Sequence, residues 1–156
     1  MRLAVLSDTH GRPVPEACAE RLRAADLVLH AGDVGTEAAL EGLRALAPGI
    51  VAVRGNVDRA GLGLPERQEV DAGGVRIGLV HDAGPAKGRL ARLRERFPGC
   101  DVVVFGHSHV PLLEQEDGFT ILNPGSATQR RRQPRHTMVE GTVEGGRPSF
   151  AFVDLD

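Results

Sequence analysis

Short apolar runs alternate with helical patterns through the first third of the chain, and this alternation limits the fold more than any other feature. The runs lie at 3–6, 27–29 and 50–53, and each has the length and composition of a buried strand. Between them, apolar residues recur at helical spacing over 14–25 and 39–47. The β-α-β-α-β order predicts right-handed crossovers and a parallel sheet.

The remainder of the chain predicts further strands, one helix and two hairpins. Strands at 75–80 and 101–105 flank a helix whose inward residues are Leu90, Leu93 and Phe97. Alternating segments joined by turn signals predict antiparallel hairpins, and these segments are 112–115, 119–122, 138–143 and 150–153. The stretches 57–68 and 127–136 are expected to be irregular. With no linker and no repeat, we expect a single domain over residues 1–156.

Five apolar runs share a second feature, because each is followed directly by residues that can bind a metal ion. Asp8 and His10 are two positions apart, as are His107 and His109, so each pair can converge on one point from a tight turn. The carboxyl ends of strands in α/β sheets lie along one edge, where ligands collect. The candidate metal ligands are Asp8, His10, Asp33, Asn56, His81, His107 and His109.

The chemistry of these side chains indicates which ions they would bind. Two Asp, one Asn and four His form a mixed oxygen and nitrogen set without thiolate, which suits Mn, Fe, Ni, Co or Zn. Seven ligands are too many for one ion and enough for two if one carboxylate bridges them. Two divalent ions carry more positive charge than two carboxylates neutralise, which favours a bridging hydroxide and an anionic substrate. Hydrolysis of a phosphate ester is the reaction that this predicts.

Composition argues against several other classes of protein. The formal net charge of −2 lacks the basic excess of a dedicated nucleic-acid or membrane-surface binder. The chain has no Trp or Tyr with which to stack bases. Cys18 and Cys100 form neither a disulfide scaffold nor a zinc-binding spacing. No apolar stretch is long enough to span a membrane and the opening is too short for a signal peptide, so we expect a cytoplasmic protein.

The ordered motifs resemble those of the calcineurin-like metallophosphoesterase family. They are Asp8-x-His10, Gly32-Asp33, Gly55-Asn56-x-Asp58, His81 and Gly106-His107-x-His109. Two further segments, Asn123-Pro124-Gly125-Ser126 and Pro134-Arg135, look like the small bacterial and archaeal phosphodiesterase branch of that family. The resemblance extends from residue 3 to about residue 135. It implies an α/β fold, a four-layer αββα sandwich of two mixed β-sheets flanked by helices.

The resemblance also implies a role for each ligand. Asp8, His10, Asp33 and His109 would bind the first ion, and Asp33, Asn56, His81 and His107 the second, with Asp33 bridging. Manganese is the first choice of metal, and Fe, Ni, Co and Zn are the others.

This sequence departs from the family pattern at two positions. Val57 stands where many members have a His that protonates the leaving group or contacts the phosphate. Ala83 stands where the branch often has a second His after His81. The source of the leaving-group proton and the substrate contacts near Ala83 are therefore open.

A few other polar residues each have two interpretations. His30 could brace a metal loop or be a core histidine hydrogen-bonded to backbone, and His136 is expected at the surface. Asp58 could orient a ligand His or be a turn residue. Arg130–Arg132 with Arg135 could hold a substrate phosphate or be a solvated loop.

The sequence therefore predicts a dinuclear metal-dependent phosphodiesterase, in which a metal-bridging hydroxide attacks phosphorus in line. Its partner would be a small phosphodiester, with no membrane and no nucleic acid. One alternative is a non-catalytic scaffold module resembling the retromer subunit of the same fold. Another is a phosphomonoesterase or nucleotide hydrolase of the same superfamily. The physiological substrate, the native metal and the oligomeric state, a homo-oligomer included, are left open.

Overall fold

Ten strands and three helices make up the computed structural model, which describes residues 1–156. The first five elements are β1 (Arg2–Leu6), α1 (Glu16–Ala24), β2 (Leu27–His30), α2 (Glu37–Leu46) and β3 (Ile50–Ala52). After a 3₁₀ turn at Ala60–Leu62 come β4 (Arg67–Ala72), β5 (Val75–Val80), α3 (Arg89–Arg96) and β6 (Val102–Val104). The chain ends with β7 (Leu112–Glu116), β8 (Phe119–Asn123), β9 (Thr137–Glu144) and β10 (Arg147–Asp154).

The strands form two five-stranded sheets, both mixed. The first has the order β10-β9-β1-β2-β3, in which β1, β2 and β3 run parallel, with Leu3 opposite Leu27. The second has the order β4-β5-β6-β8-β7, in which β5, β6 and β8 run parallel and the two edge strands run antiparallel. The predicted β-α-β-α-β unit is thus confirmed, as are the hairpins β7–β8 and β9–β10.

Alternation along the strands explains how the two sheets and the helices stack. On β1, Leu3 and Val5 face the core between the sheets, whereas Ala4 and Leu6 face the apolar cluster under α1 and α2. On the other side, α3 packs through Leu93 against the outer face of the second sheet. The order helix, sheet, sheet, helix confirms the predicted four-layer sandwich. No helix combines the length and the apolar character needed to cross a membrane.

The strand β4 corrects the sequence analysis, which expected 57–68 to be irregular and predicted no strand between residues 53 and 75. Most side chains of β4 are exposed, and its sequence Arg-Gln-Glu-Val-Asp-Ala shows little of the apolar alternation that marks a half-buried strand. It forms because the edge of β5 supplies backbone partners, from Arg67 opposite Val80 to Ala72 opposite Val75.

Candidate metal centre

The seven predicted ligands lie together at one end of the sandwich, in loops that follow the carboxyl ends of β1, β2, β3, β5 and β6. Those after β1, β2 and β3 come from the first sheet, and those after β5 and β6 come from the second. The site therefore spans the junction of the two sheets. The side chains form two groups that share carboxylates.

The first group consists of Asp8, His10 and His109. The Nε2 atoms of the two histidines are 3.2 Å apart. Asp8 Oδ1 lies 3.5 Å from His109 Nε2 and 3.9 Å from His10 Nε2, and one ligand atom from each residue lies within 4.8 Å of the others. His109 donates its Nδ1–H to the Gln129 carbonyl at 2.5 Å, which leaves Nε2 free to face the group.

The second group is centred on His81. Its Nε2 atom lies 3.0 Å from Asn56 Oδ1, 3.3 Å from Asp33 Oδ2 and 3.8 Å from Asp8 Oδ1. His107 Nδ1 lies 3.2 Å from the same Asn56 oxygen. The other ring nitrogen of His81 donates to a backbone carbonyl at 2.7 Å, so Nε2 is again the atom free to bind a metal.

Two carboxylates face both groups. Asp33 Oδ2 lies 3.6 Å from His10 Nε2 as well as 3.3 Å from His81 Nε2, which fits the predicted bridging role. Asp8 Oδ1 also contacts histidines of both groups. Asp8, which the sequence analysis assigned to the first ion alone, therefore also lies between the two groups.

One atom tests whether the residues fit metal ions. Asp8 is fully buried, and its Oδ2 atom accepts hydrogen bonds from the Ser7 hydroxyl at 2.6 Å and the His107 N–H at 3.1 Å. Its Oδ1 atom is buried without any hydrogen-bond partner and points at three histidines. A buried carboxylate oxygen without a partner is costly unless a cation satisfies it. This orphaned oxygen, among nitrogen and oxygen donors, fits divalent ions.

The two carboxyl groups differ in their electrostatic surroundings. Burial raises the pKa of Asp8 above its ordinary value, although the nearby His81 opposes this. Burial would also raise the pKa of Asp33, but the contact with His81 and the hydrogen bond from the Val57 N–H lower it to about 2. Asp33 is therefore a carboxylate at neutral pH even before a cation is added.

Five of the seven ligands adopt left-handed backbone conformations that non-glycine residues rarely occupy. Their φ angles are 56° at Asp8, 50° at His10, 57° at Asp33, 73° at His107 and 62° at His109. Each costs about 1 kcal/mol or more. Backbone hydrogen bonds between the loops hold them, with Asp8 N–H donating to the Gly32 carbonyl and His10 N–H to that of Asp33, both at 2.9 Å.

His30 braces two of these loops from below and is not in either ligand group. It is fully buried, its Nδ1 atom accepts the Gly32 N–H at 3.1 Å, and its Nε2–H donates to Thr9 Oγ1 at 3.0 Å. Burial lowers the pKa of His30 to about 4, so the ring is neutral. Both interpretations of His30 therefore apply. It is a core histidine, and its hydrogen-bond partners lie in the loops that carry Asp8 and Asp33.

Asp58 also ties loops together, but not in the way proposed from the sequence. Its buried carboxylate accepts backbone N–H groups of Gly35 and Gly55 at 2.8 Å and of Val34 at 3.3 Å. Its partners are the two backbone amides that follow Asp33 and the one that precedes Asn56, and no ligand His is among them. Gly55 is required beside it, since a Cβ there would lie 2.1 Å from Asp33 Oδ1.

Arg135, at the end of the basic segment, is not among the groups that converge. Arg131 of the same segment lies closer, because its charge adds to burial in lowering the pKa of His109. Arg135 is exposed and lies 3.5 Å from Asp154. His136 is half-buried and pairs with Asp156 at 2.6 Å. The predicted turn 123–126 does approach the site, because Ser126 Oγ donates to the Asp8 carbonyl at 2.8 Å.

The two departures from the family pattern have different surroundings. Val57 is 44% exposed and only its backbone N–H touches the site, through Asp33. Ala83 is buried in the apolar cluster under α3, and its carbonyl accepts from Arg92. The side chain at position 83 is therefore part of the apolar cluster between α3 and the second sheet.

Sequence analysis did not identify a cavity of about 420 Å³ beside the second ligand group. Its lining includes three of the candidate ligands, Asn56, His81 and His107, and three arginines, Arg54, Arg67 and Arg96. The position of Arg54, directly before Gly55-Asn56, is the one signal that could have indicated it. Arg67 and Arg96 lie far from the ligands in sequence and gave no such signal.

Known proteins resemble this chain in sequence and in fold. A probable metallophosphoesterase of Methanothermobacter thermautotrophicus is 35% identical over 146 residues, covering 89% of this chain and 84% of the relative. One from Methanocaldococcus jannaschii is 36% identical over 138 residues, covering 84% and 70%. A Vps29 variant from Entamoeba histolytica superimposes with a TM-score of 0.80 at 25% identity, covering both chains completely.

The match to a family model extends over nearly the whole chain. The model describes a calcineurin-like phosphoesterase superfamily domain and covers residues 1–146, a range that holds all seven candidate ligands. Together with the archaeal relatives, this match establishes that the chain belongs to the calcineurin-like phosphoesterase superfamily.

Proposed function

We propose that this protein is a dinuclear metal-dependent phosphodiesterase. The observation that carries the proposal is the completeness of the ligand set: all seven side chains are present and converge from both sheets. The unpartnered Oδ1 atom of buried Asp8, which faces three histidines, supports it. Membership of the superfamily supports a phosphoesterase, and the preference for diesters is the finer step that we propose.

The ligands would divide between two ions, with manganese the first choice. Asp8, His10, Asp33 and His109 would hold the first ion, and Asp33, Asn56, His81 and His107 the second. When bound, divalent ions supply a water nucleophile at neutral pH and positive charge opposite the phosphoryl oxygens. The low pKa of Asp33 keeps it ionised for the shared position.

Backbone contacts orient the ligands, and position 57 supplies no proton. His81 and His109 are each fixed by a bond from Nδ1–H to a backbone carbonyl, so that their Nε2 atoms face inward. Position 57 offers no acid and no cation, because Val57 contributes only its backbone N–H. We therefore propose diesters with good leaving groups as substrates, since a monoester brings a second negative charge to the reacting phosphate.

A scaffold role is the alternative from another class of protein. The fold similarity to Vps29 is the observation that favours it. This chain retains all seven candidate ligands, and hydrolysis of an ester is the property that a scaffold would lack. A phosphomonoesterase or nucleotide hydrolase is the other alternative. The cytoplasmic location expected from the sequence stays a prediction.

Metal content and activity measured on the same preparation test the proposal. We expect close to two divalent ions per chain by elemental analysis, and hydrolysis of bis(4-nitrophenyl) phosphate that EDTA abolishes and Mn²⁺ restores. Asp33→Ala should lose both activity and the second ion, whereas Asp154→Ala, which removes an exposed carboxylate on β10, should lose neither. A protein that binds no metal and gains no activity with Mn²⁺ would be a scaffold instead.

A further inference from the structure

The cavity of about 420 Å³ adjoins the candidate metal centre on the side of the second ligand group. Asn56, His81 and His107 form the wall nearest the centre. A substrate whose phosphate lies at these ligands would extend one of its ester arms into this space. The other residues that line this space are therefore placed to contact that arm.

Three of these other lining residues are arginines, and each guanidinium group donates to a backbone carbonyl. Arg54 Nε donates to the Asp58 carbonyl at 3.1 Å, and Arg67 Nη2 donates to the Arg96 carbonyl at 2.7 Å. Arg96 Nη1 donates to the Asp82 carbonyl at 3.3 Å. The Arg67 guanidinium also lies 4.2 Å from the centre of the Phe97 ring, which supports its position.

None of these three arginines forms an ion pair, although other arginines of the chain do. An Arg side chain carries five N–H donors, and each of the three uses one on a carbonyl. The remaining donors and the full charges are available to a ligand. Paired N–H donors of this kind match the oxygens of phosphate.

The other lining residues limit the chemistry of the arm further. Glu66 and Asp82 also line the cavity, and Asp82 Oδ1 accepts the Gly84 N–H at 2.8 Å, so three cations face two acidic residues. Val80 is the one hydrophobic residue of the lining, which includes no Phe, Tyr or Trp. A nucleobase or an aryl group would find little apolar contact there, whereas a small polar anion would find positive charge.

We infer that the substrate is a phosphodiester with one small polar arm that bears a second phosphate, and that Arg67 and Arg96 bind this phosphate. The inference rests on the proposed function, because it assigns the specificity of the same site. Arg54 also lines the cavity, and its hydrogen bond to the Asp58 carbonyl connects it to the ligand loops.

Two diesters that differ only in the second phosphate test the inference. The two substrates are ethyl 4-nitrophenyl phosphate and 2-(phosphonooxy)ethyl 4-nitrophenyl phosphate. In both, water attacks phosphorus, the bond to the aryl oxygen breaks, and 4-nitrophenolate leaves. With Mn²⁺, we expect kcat/KM to be about tenfold to a hundredfold higher for the phosphorylated substrate, since hydrogen bonds to charged groups have this strength. The measured quantity is the ratio of the two constants, so a general loss of metal or of folded protein cancels.

The variant Arg67→Gln/Arg96→Gln should bring this ratio close to one, and Arg96→Gln alone should give an intermediate ratio. Arg147→Gln, which removes an exposed charge from β10 in the other sheet, is the matched control and should keep the full ratio. A wild-type ratio near or below one, or an unchanged ratio in the double variant, would overturn the inference and leave the proposed function standing.

A binding measurement separates the two ideas if neither diester is hydrolysed. Titration calorimetry with the Mn²⁺-loaded protein compares ethyl phosphate with 2-(phosphonooxy)ethyl phosphate. At least tenfold tighter binding of the bisphosphate, lost in the double variant, would support the arginine site although the proposed diesterase activity had failed. Equal affinities for the two ligands would overturn the inference.

Discussion

Replacing Asp58 by Asn should loosen the metal loops without changing the shape of the side chain. The carboxylate is only 3% exposed and accepts three backbone N–H groups. The amide oxygen of Asn can replace Oδ2, which accepts from Gly55 at 2.8 Å and from Val34 at 3.3 Å. The amide nitrogen must then take the place of Oδ1, where it meets the Gly35 N–H at 2.8 Å. Two donors would face each other in a buried position.

The expected loss of stability follows from these contacts. One buried N–H without an acceptor costs about 1–3 kcal/mol. The two remaining bonds also lose the contribution of the negative charge, which makes charged hydrogen bonds roughly twice as strong as neutral ones. The sum is about 3 kcal/mol, which corresponds to a fall in Tm of about 6–12 °C for a chain of this size. Metal affinity should fall as well, because the tied amides flank Asp33 and Asn56.

Urea unfolding and calorimetric metal titration of Asp58→Asn measure the two effects. Asp71→Asn is the matched control, because the exposed Asp71 carboxylate accepts one N–H, from Gly74 at 3.0 Å, in a surface turn. It should change the free energy of unfolding by no more than about 0.5 kcal/mol. Equal effects of the two substitutions would refute the assignment of Asp58 as the tie between the loops.

Three further predictions concern residues around the centre. Burial lowers the pKa of His30 to about 4 from an ordinary 6.5. The free energy of unfolding should therefore be highest above pH 6.5 and fall by up to about 3 kcal/mol as the pH drops toward 4. His30→Gln should remove that part of the pH dependence in urea unfolding, and an identical profile would contradict it. Gly55→Ala should lower the free energy of unfolding by about 3 kcal/mol or more and lower the metal content, because the new methyl group would lie 2.1 Å from Asp33 Oδ1. Gly61→Ala is the control, because a methyl group there meets nothing within 4 Å. Activity on substituted phenyl diesters should depend steeply on leaving-group pKa, and Val57→His should raise turnover most for poor leaving groups, by up to about a hundredfold. A flat wild-type dependence would mean that another group supplies the proton.

The parallel core and the convergence of the candidate ligands were predictable because both leave local signals. The apolar runs of β1, β2 and β3 read as buried strands, and each is followed within a few residues by ligands such as Asp8 or Asp33. The geometric rule that strand ends share an edge then brings these residues together. No knowledge of the side-chain contacts was needed.

What could not be predicted depends on pairing between distant segments. The edge strand β4 has mostly exposed side chains, so only its backbone bonds to β5 define it. The hairpins were visible, but nothing in them indicates that β8 joins β6 in the second sheet while β9 returns to β1 in the first. The left-handed φ angles of ligands such as His107 likewise arise from contacts between loops. A glycine at such a position would have indicated a positive φ in the sequence, whereas Asp and His do not.

The origin of the candidate ligands in both sheets would tie the amount of folded protein to the supply of metal. His10 and His109 are 99 positions apart in the chain, and their Nε2 atoms meet only in the native state. An ion that requires this pairing binds the folded chain and not the unfolded one. By mass action, free metal at a hundred times its dissociation constant would add about 2.7 kcal/mol to the free energy of unfolding. Cells with scarce metal would then lose the protein itself to proteolysis, and not only its activity.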